Sequence, residues 1–571
     1  MSNFQEQYNE WMSSNLLFPG LKEELSIIAD DHKEKEDRFH QYVSFGTGGM
    51  RGLLGAGTNR INIYTIRRVA EGLAMYIMSA GKEAMQRGVA IAYDTRHYSK
   101  DFSIETAKVL GRHGIRSYVF EESRPTPELS FAVRYFKAFA GVVITASHNP
   151  KEYNGFKVYG KDGAQLTPEA ANKIIRFMVG IESVFLIETA DVEKLIESGV
   201  LTFVLHDIDR AYQDSLLTLQ ETEPVDNGLR IVYTPLHGAG LVPVVEGLKS
   251  FCFQHISLVK EQGVQNPEFP TVHSPNPEER EAFQLAIELG KRTDADILFA
   301  TDPDADRLGV AVKNGIEYHL LTGNQLGVLL LDYILREKNR KGTLPSNAVV
   351  LKTIVTSELG RVIAAKFGVS TIDTLTGFKY IAEKIEEYHT SGEFKFLFGY
   401  EESYGYLIGD FVRDKDAVQA ALMTAEMAGN YQKQGTSLYD RLIELYEEFG
   451  YYKESLRSIT LSGIEGQEKI AKIMLSFRSN PPIEIAGLRV VATEDYLTGI
   501  MYTIDGQTLK LTLPKENVIK FILEDGSWIC VRPSGTEPKC KFYFGVCKGS
   551  DSEAEEMLRK LENATDILRQ M

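Results

Sequence analysis

Four polar loops follow apolar runs of the kind that form buried strands, and their side chains are suited to binding metal ions and phosphate. The apolar runs AGVVI, DILFA, KFLFG and SWICV lead into TASHNPKEYNGFK, TDPDADR, YEESYG and RPSGTEPK, respectively. In open α/β sheets, ligands bind beyond the carboxyl ends of the strands. We therefore expect the chemistry of this chain in these four loops.

The first loop places Ser147 beside His148, with Lys157 ten residues further on. A serine in this position could act as a nucleophile or carry a phosphate group between two steps of a reaction. The loop lacks the GxSxG pattern of the α/β serine hydrolases, which argues against acyl transfer. Because Ser147 could instead cap a helix or shape a turn, this loop alone does not separate chemistry from structure.

The second loop places Asp302, Asp304 and Asp306 at alternate positions, a density of carboxylates that suits a hard cation. A calcium-binding EF-hand is excluded, because Arg307 stands where that motif needs glycine and Lys313 stands where it needs an acidic residue. We favour a magnesium site with room for a phosphate oxygen. A solvated acidic turn is the alternative, although three carboxylates without a cation would repel one another.

The third loop carries Glu401, Glu402 and Ser403 between two glycines. These acceptors and this donor suit the hydroxyl groups of a sugar. An ordinary exposed turn would have the same composition, so the loop is informative only in combination with the others.

The fourth loop combines Arg532 with Ser534, Gly535 and Thr536. A guanidinium group surrounded by hydroxyl and backbone N–H donors is suited to a phosphate group. A tight turn between a strand and a helix is the alternative.

Two glycine-rich stretches resemble a dinucleotide-binding fingerprint but are incomplete. FGTGGMRG (45–52) has Arg51 at the position of the third glycine, and HGAGLVP (237–243) has Pro243 there. Arg51 beside flexible glycines instead suits a contact with phosphate. TGFK (376–379) and RDKD (413–416) supply further cations on loops, each of which could equally be a solvated surface charge.

Length, charge and cysteine content limit the class of protein. A chain of 571 residues is too long for one hydrophobic core, and typical domain sizes predict about four domains. The net charge of −16 disfavours nucleic acid as a partner, because nucleic-acid binding needs a basic face. Four cysteines without a CxxC pair fit a reducing compartment. Since the N-terminus lacks a signal-peptide pattern and LGVLLLDYIL is short and contains Asp332, we expect a cytoplasmic protein with no membrane span.

Hydrophobic periodicity divides the chain into three α/β blocks and a final strand-rich block. GVAIAYD and RSYVFEE flank a helical pattern in the first block, and LRIVYTP and ADILFATD belong to the second. The third contains NAVVLKTIV, a helix through FGVSTID (367–373), and KFLFGYE. We predict similar α/β domains at 1–205, 206–320 and 321–450, and a smaller C-terminal α+β domain at 451–571.

Taken together and in this order, TASHNP, DPDADR, GYEES and RPSGTEP closely resemble the four signature loops of the α-D-phosphohexomutases, the family of phosphoglucomutases and phosphomannomutases. FGTGGMRG, YDTRHYS, PTPELSFAV and NGFKVYG also resemble its N-terminal domain, so the resemblance spans nearly the whole chain. It implies three similar α/β domains and a smaller α+β domain around a central active-site cleft. It also implies an enzyme whose substrate is a small sugar phosphate.

The resemblance assigns expected roles to individual residues. Ser147 would be a phosphoserine, and it would hold Mg²⁺ together with the three aspartates Asp302, Asp304 and Asp306. Arg51, His148 and Lys157 match catalytic positions of the family; Lys157 or His148 could be the general base, and a catalytic lysine would need a lowered pKa. The substrate-binding positions that the resemblance implies are Arg307, Thr376, Gly377, Lys379, Glu401, Ser403, Arg532, Ser534, Gly535 and Thr536.

The implied reaction moves a phosphate from Ser147 to a free hydroxyl of a sugar monophosphate and then returns the other phosphate of the bisphosphate to Ser147. The paired glutamates are similar to the glucose-type loop, which implies glucose 1-phosphate and glucose 6-phosphate as substrates and glucose 1,6-bisphosphate as intermediate and activator. A tyrosine before the glutamates, Tyr400, resembles the loop of the branch that includes phosphopentomutases, so pentose phosphates stay an alternative. Mannose phosphates are a further alternative within the family. A phosphatase, with water as acceptor, and a sensor of metal and sugar phosphate are the rival classes.

Overall fold

The computed structural model describes residues 4–46, 48–223, 228–461, 463–533 and 539–568. The chain divides into two compact units, which are described separately below. No helix in the described residues combines the length and the apolar character needed to cross a bilayer. The first unit comprises Met1–Thr322, Ala382–Gly392 and Ser403–Gly435, and the second unit comprises Gly323–Ile381, Glu393–Glu402 and Thr436–Met571.

A seven-stranded sheet with helices occupies the amino-terminal part of the first unit. Its strands are β1 (Phe45–Gly46), β2 (Gly49–Leu53), β3 (Val89–Tyr93), β4 (Ser117–Phe120), β5 (Ala140–Ile144), β6 (Tyr153–Tyr159) and β7 (Leu201–Val204). Its helices are α1 (Phe4–Ser13), α2 (Pro19–Ile27), α3 (His32–Phe39), α4 (Ile63–Ser79), α5 (Lys82–Arg87), α6 (Ser99–Arg112), α7 (Thr126–Tyr135), α8 (Pro168–Val179), α9 (Val192–Glu197) and α10 (His206–Leu217). The strand order is β1-β2-β6-β5-β3-β4-β7, and β5, β3, β4 and β7 are parallel. Helices cover both faces of such a sheet, which explains why the residues of β3 and β5 are buried throughout and apolar in sequence.

The second sheet lies further along the first unit and has five strands. They are β8 (Arg230–Thr234), β9 (His255–Leu258), β10 (Ile297–Thr301), β11 (Leu308–Asn314) and β12 (Glu317–Leu321), with helices α11 (Leu241–Ser250) and α12 (Gln284–Thr293). The order is β12-β11-β10-β8-β9, with β10, β8 and β9 parallel and β11 antiparallel.

The third sheet has its parallel strands in the second unit. These are β13 (Ala348–Thr353), β14 (Ser370–Thr374) and β15 (Lys395–Glu401), in the order β14-β13-β15. The chain then returns to the first unit with β16 (Gly405–Leu407). The helices of this part of the chain are α13 (Gly323–Lys341), α14 (Leu359–Lys366), α15 (Phe378–Ser391), α16 (Ala417–Lys433) and α17 (Leu438–Phe449).

One predicted element of this third block is wrong. FGVSTID (367–373) is not helical: α14 ends at Lys366, and Gly368 has a φ of 72°, a left-handed conformation typical of a helix end. The β-branched residues that follow then form β14 beside β13.

The three α/β sheets share one arrangement of strands. In each, a strand at one side of the parallel set is followed directly by a polar loop that the sequence singles out: β5 precedes the loop with Ser147, β10 the loop with Asp302, and β15 the loop with Glu401. The similarity of these blocks therefore puts three of the four predicted loops at equivalent places.

The C-terminal part of the second unit is an antiparallel sheet packed against helices, as predicted for a smaller α+β domain. Its strands are β17 (Tyr451–Thr460), β18 (Glu484–Ile485), β19 (Leu488–Asp495), β20 (Ile500–Thr503), β21 (Thr508–Lys510), β22 (Ile519–Leu523), β23 (Trp528–Pro533) and β24 (Lys539–Lys548). Their order is β17-β24-β23-β22-β19-β20-β21, and β18 pairs with β19. The helices are α18 (Gly463–Ser479) and α19 (Asp551–Leu568). The predicted fold class is confirmed, while the four domain boundaries stay a prediction.

Candidate active site

Ser147 lies in the loop after β5, where its own backbone conformation holds it. Its φ angle of 53° is in the left-handed region, which serine rarely adopts. The Ser147 N–H donates to Thr145 Oγ1 at 2.8 Å, and the guanidinium group of Arg96 donates to the Ser147 carbonyl oxygen at 2.6 Å. The side chain of Ser147 is buried, so its hydroxyl is presented inside the protein in one orientation.

The loop after β10 gathers three buried carboxylates. Asp302, Asp304 and Asp306 each offer an oxygen, and these oxygens all lie within 4.8 Å of one another. The loop turns tightly at Ala305, whose φ is 47°. Asp302 Oδ1 accepts hydrogen bonds from the N–H groups of Asp306 and Arg307, both at 3.1 Å. The backbone of the loop thus fixes the first carboxylate against the other two.

The serine loop and the aspartate loop meet. Ser147 Oγ donates to Asp302 Oδ2 at 2.8 Å and lies 3.2 Å from His148 Nδ1. Thr126, at the start of α7, donates from Oγ1 to Asp304 Oδ2 at 2.8 Å. The structure therefore joins the predicted phosphate carrier to the predicted metal ligands within hydrogen-bonding distance.

Two lysines offset part of the negative charge of the aspartates. Lys157, on β6, donates to Asp304 Oδ2 at 2.7 Å and lies 3.4 Å from Asp306 Oδ2. Lys415, in the RDKD stretch before α16, lies 3.1 Å from Asp306 Oδ2. The local positive charge that a negatively charged protein needs for an anionic substrate is thus present beside these carboxylates.

Arg51 reaches the serine loop from β2, which pairs with β6. Its Nη1 donates to Asn149 Oδ1 at 3.0 Å. Gly49, in the same strand, lies opposite Lys157 and has a φ of 138°, and a Cβ there would lie 2.0 Å from the carbonyl oxygen of Phe156. We expected these glycines to give flexibility, but Gly49 is required because β2 and β6 approach closely.

Arg307, a predicted substrate-binding residue, faces the same carboxylates. Its Nη1 forms an ion pair with Glu278, and its Nε lies 3.8 Å from Asp306 Oδ1. A role for Arg307 in binding substrate stays a prediction.

Burial and mutual repulsion separate the pKa values of the carboxylates. Burial, followed by the negative charges of Asp304 and Asp306, raises the pKa of Asp302 well above its usual range. Burial also acts to raise the pKa of Asp306, but the ammonium groups of Lys415 and Lys157 outweigh it and lower that pKa. The carboxylate next to Ser147 therefore differs in proton affinity from the one that the lysines hold.

The two candidate general bases differ in the same way. Burial acts to lower the pKa of Lys157, but Asp304 and Asp306 outweigh it and raise that pKa, so Lys157 is a cation in this arrangement. Burial, together with the nearby Arg307 and Arg51, lowers the pKa of His148 well below its usual range, which favours the neutral imidazole.

The carboxylate cluster fits a hard divalent cation. Among the described residues, the buried atoms Asp304 Oδ1 and Asp306 Oδ1 have no hydrogen-bond donor. A buried acceptor without a partner is costly, and a bound cation supplies the partner. Three carboxylates and a hydroxyl are the oxygen ligands that Mg²⁺ prefers, so Asp302, Asp304, Asp306 and Ser147 are suited to hold it.

In the second unit, the glutamate loop is tied to other residues of its own sheet. Glu401 is buried, and its Oε1 accepts a hydrogen bond from the Gly377 N–H at 2.8 Å. Glu402 Oε2 accepts from Thr353 Oγ1 at 3.2 Å and from Thr356 Oγ1 at 3.3 Å. The predicted TGFK and glutamate loops therefore lie together, and the two threonines beside Glu402 are additions that the sequence did not suggest.

Three other predicted substrate-binding residues of these loops, Thr376, Lys379 and Ser403, are half-buried. Lys379 Nζ lies 4.7 Å from the ring centre of Tyr380. Thr376 Oγ1 is buried without a hydrogen-bond partner among the described residues. Ser403 is half-buried directly after β15.

Arg532, on β23, forms a hydrogen bond with the hydroxyl of Tyr543. Burial acts to lower its pKa, but Tyr543, Glu516 and Glu402 outweigh burial and raise it, so the guanidinium stays charged. The other predicted members of this loop, Ser534, Gly535 and Thr536, lie outside the described residues.

Tyr400 lies in the core of the second unit. Its side chain is fully buried, stacks on Phe398 at 5.3 Å between ring centres, and packs so closely on Gly327 and Gly360 that a Cβ at either glycine would lie within about 2.2 Å of the ring or hydroxyl. Pentose phosphates stay an alternative prediction for the substrate.

Three residues of the site were missed by the motif analysis: Thr126, Arg96 and Lys415. Thr126 and Arg96 occur in PTPELSFAV and YDTRHYS, which carry the family resemblance, and Lys415 occurs in RDKD. Their stretches were therefore visible, but their contacts with the carboxylates and with the serine loop depend on tertiary structure.

Comparison with known protein families matches four successive parts of the chain. Residues 42–184, 210–315 and 322–449 match the phosphoglucomutase/phosphomannomutase alpha/beta/alpha domains I, II and III. Residues 485–564 match the C-terminal domain of the same family. Domain I contains Ser147, domain II the three aspartates and domain III Glu401.

Similar proteins cover almost the whole chain. A phosphoglucomutase of Staphylococcus epidermidis is 41% identical over 534 residues, which is 92% of this chain and 94% of that protein. A phosphoglucomutase of Staphylococcus haemolyticus is 40% identical over 516 residues, 90% of this chain and 92% of that protein. The crystal structure of a putative phosphomannomutase from Thermus thermophilus has the same fold, with a TM-score of 0.66, 22% identity, and coverage of 93% of this chain and 99% of that one. The four consecutive domain matches and the two relatives show that the chain belongs to the phosphoglucomutase/phosphomannomutase family of phosphate-transferring isomerases.

Proposed function

We propose that this protein is an α-phosphoglucomutase that interconverts glucose 1-phosphate and glucose 6-phosphate. Ser147 carries the phosphate, and glucose 1,6-bisphosphate is the intermediate and activator. The observation that carries the proposal is the 2.8 Å hydrogen bond from Ser147 Oγ to Asp302 Oδ2, inside a cluster of three buried carboxylates.

The hydrogen bond from Ser147 to Asp302 supports the role of Ser147 as the phosphate carrier. In the first half of the reaction, a sugar hydroxyl oxygen bonds to the phosphorus of phospho-Ser147 while the bond from phosphorus to Oγ breaks, and the hydroxyl proton is passed to Oγ. In the second half, Oγ bonds to the other phosphorus of the bisphosphate while the bond from that phosphorus to the sugar oxygen breaks, and the serine proton is passed to that sugar oxygen. In this proposal His148 Nδ1, 3.2 Å from Oγ, carries the proton in both halves.

Positive groups around the serine support transfer of an anionic group. Lys157 and Lys415 lie against the aspartates, and Arg51 reaches Asn149 two residues beyond the serine. When bound by the three aspartates and Ser147, Mg²⁺ would supply electrostatic stabilisation of the charge on the transferring phosphoryl group. In this proposal Lys157 acts as a cation next to that group.

We assign recognition of the sugar to the glutamate loop and of the distal phosphate to Arg532 and Lys379. The paired glutamates are the glucose-type feature of the loop, and the threonines and Gly377 that bind them hold both carboxylates in place. Tyr400 keeps pentose phosphates as an alternative, so ribose 1-phosphate belongs among the substrates tested.

The test is an assay of purified protein with the 1-phosphates of glucose, mannose, glucosamine and ribose, with Mg²⁺ and a trace of the corresponding bisphosphate. We expect glucose 6-phosphate to form fastest. Preferred turnover of mannose phosphate would contradict the sugar assignment. Steady release of inorganic phosphate without glucose 6-phosphate would indicate a phosphatase, and absence of turnover with retained binding would indicate a sensor.

A further inference from the structure

We propose that Arg96 is a positioning residue for phosphoryl transfer, because its guanidinium group sets the backbone of the loop that carries Ser147. This inference rests on the proposed function and adds a residue for which the motif analysis gave no role. In the described residues, the guanidinium N–H groups of Arg96 donate to backbone carbonyl oxygens and not to the serine hydroxyl or the three aspartates.

Four carbonyl oxygens of one loop converge on this guanidinium. Arg96 Nη1 donates to the carbonyl oxygens of Pro150 at 2.8 Å and Tyr153 at 3.1 Å. Arg96 Nη2 donates to the carbonyl oxygen of Ser147 at 2.6 Å and to that of Asn149. All four acceptors lie within seven residues of chain, between the end of β5 and the start of β6.

The chemistry of arginine explains why one side chain can do this. Buried backbone carbonyls outside a sheet need donors, and a guanidinium group offers five N–H bonds in a rigid planar fork. A lysine has the same charge but one nitrogen, so it cannot span acceptors on both sides of the fork. The left-handed φ of Ser147 is a conformation that needs such external support.

Arg96 is itself held rigidly. Its Nε lies 3.2 Å from Asp94 Oδ2, and Asp94 Oδ1 accepts from the Arg96 N–H at 2.9 Å and from Ser99 Oγ at 2.7 Å. The guanidinium carbon lies 5.0 Å from the ring centre of Phe269. The Arg96 side chain has no exposed surface. Its charge also interacts with the charges of Asp304 and Asp302, an effect that Arg96→Lys keeps while it removes the fork of N–H donors.

Phe269 belongs to a second segment that supports the loop of Ser147. It lies in the connection between β9 and α12, and in the same connection Ser274 Oγ donates to the carbonyl oxygen of His148 at 2.9 Å. The loop of Ser147 is thus held from one side by Arg96 and from the other by a segment that precedes the aspartate loop in the chain.

The test compares Arg96→Lys with a matched control, Arg87→Lys. Arg87 also donates to two carbonyl oxygens, those of Lys137 at 2.8 Å and Ala138 at 3.2 Å, and lies 5.8 Å from the ring centre of Phe139. For turnover of glucose 1-phosphate we expect R96K to lower kcat on the order of 100-fold with KM changed less than about threefold, because a misplaced reacting atom costs rate and not recognition. We expect R87K to leave both constants unchanged.

Chemical rescue and a second variant distinguish a positioning role of Arg96 from a merely structural one. In R96A, guanidinium ion at non-denaturing concentration should restore part of kcat, and it should not change kcat in R87A. Phe269→Leu keeps Arg96 and removes its ring contact, so we expect a several-fold fall in kcat with unchanged KM even if the Arg96 variants do not fold.

The wild type, measured in parallel, distinguishes failure of the proposed function from failure of the role of Arg96. A wild type that does not convert glucose 1-phosphate would reject the proposed function. An active wild type with wild-type kcat in both R96K and F269L, or an equal loss in R96K and R87K, would overturn the role of Arg96.

Discussion

The serine loop after β5 and the glutamate loop after β15 follow equivalent strands. Their hydrogen-bond partners lie at different distances along the chain. Ser147 donates to Asp302, 155 residues away, and Lys157 to Asp304, 147 residues away. Glu401 accepts from Gly377, 24 residues away. The contacts of Ser147 and Lys157 therefore form only when two sheets pack together, whereas the hydrogen bonds to Glu401 and Glu402 come from residues of the same unit.

The chemistry and the recognition are therefore separable. The first unit contains the proposed phosphate carrier, the carboxylates and the lysines, so changes there should mainly lower kcat. The two glutamates are held by donors of the second unit, so changes to those donors should mainly raise KM.

Ser147→Ala should abolish the reaction in the serine loop without disturbing recognition. We expect kcat to fall on the order of 10⁴-fold or more, because no other group can carry the phosphate. Steady-state assays and intact-mass analysis during turnover measure the loss of activity and of the phosphate adduct. Ser103→Ala, at a serine that donates to the Lys100 carbonyl oxygen on its own helix, is the control. A phosphate adduct that persists in S147A would contradict the assignment.

Asp304→Asn should weaken the metal site while keeping the shape of the loop. We expect activity to fall roughly 100- to 1,000-fold and the Mg²⁺ concentration for half-maximal activity to rise, because one carboxylate ligand is lost. Magnesium titration after treatment with EDTA measures both. Asp294→Asn, between α12 and β10, removes an exposed carboxylate away from the cluster. This variant should behave as the wild type. An unchanged magnesium requirement in D304N would exclude this cluster as the metal site.

The double change Thr353→Val and Thr356→Val should affect the glutamate loop alone. Removing both hydroxyl donors to Glu402 should raise KM for glucose 1-phosphate on the order of 10-fold with little change in kcat, since hydrogen bonds to charged groups contribute about 1.5–3 kcal/mol. Thr343→Val, at an exposed threonine, is the control. A loss confined to kcat would show that the glutamate loop takes part in the chemical step, and the contrast between the loops would fail.

Asp416→Asn tests a buried charge of the first unit that has a structural role. Burial raises the pKa of Asp416 to about 6, and its carboxylate caps α16 and accepts from Tyr212. Because this folded-state pKa lies above the ordinary value of 3.8, the group contributes stability at low pH that is lost as pH rises through about 6.

We therefore expect the stability of D416N relative to the wild type to increase by about 1–3 kcal/mol between pH 4 and pH 7, with kcat unchanged. Urea unfolding at the two pH values measures this difference. A relative stability that does not depend on pH would mean that Asp416 is ionised in the folded protein throughout this range.

Much of the fold could be predicted because buried strands appear in the sequence as continuous apolar runs. The parallel strands β5, β10 and β15 were predicted in this way. The antiparallel strand β23 was predicted from the apolar run SWICV. Strand β24 was missed, although it begins with an alternation typical of a strand. Cys540 and Phe542 are buried, and Lys539 and Lys541 are less buried. The helix through FGVSTID was wrong because Gly368 ends α14 and the β-branched residues after it pair with β13.

For the site, local sequence was sufficient wherever a residue type and its spacing carry the chemistry. Three aspartates at alternate positions predict a cation site, and a serine after a buried strand is a candidate phosphate carrier, without knowledge of any neighbour. Only the tertiary structure could show that Arg96 holds the serine loop and that Lys415 lies against Asp306, because these contacts join residues far apart in the chain. Tyr400 and Glu401 illustrate the same limit at short range. Successive side chains of a strand point to opposite faces, so Tyr400 enters the core between α13 and α14 while Glu401 reaches the TGFK loop.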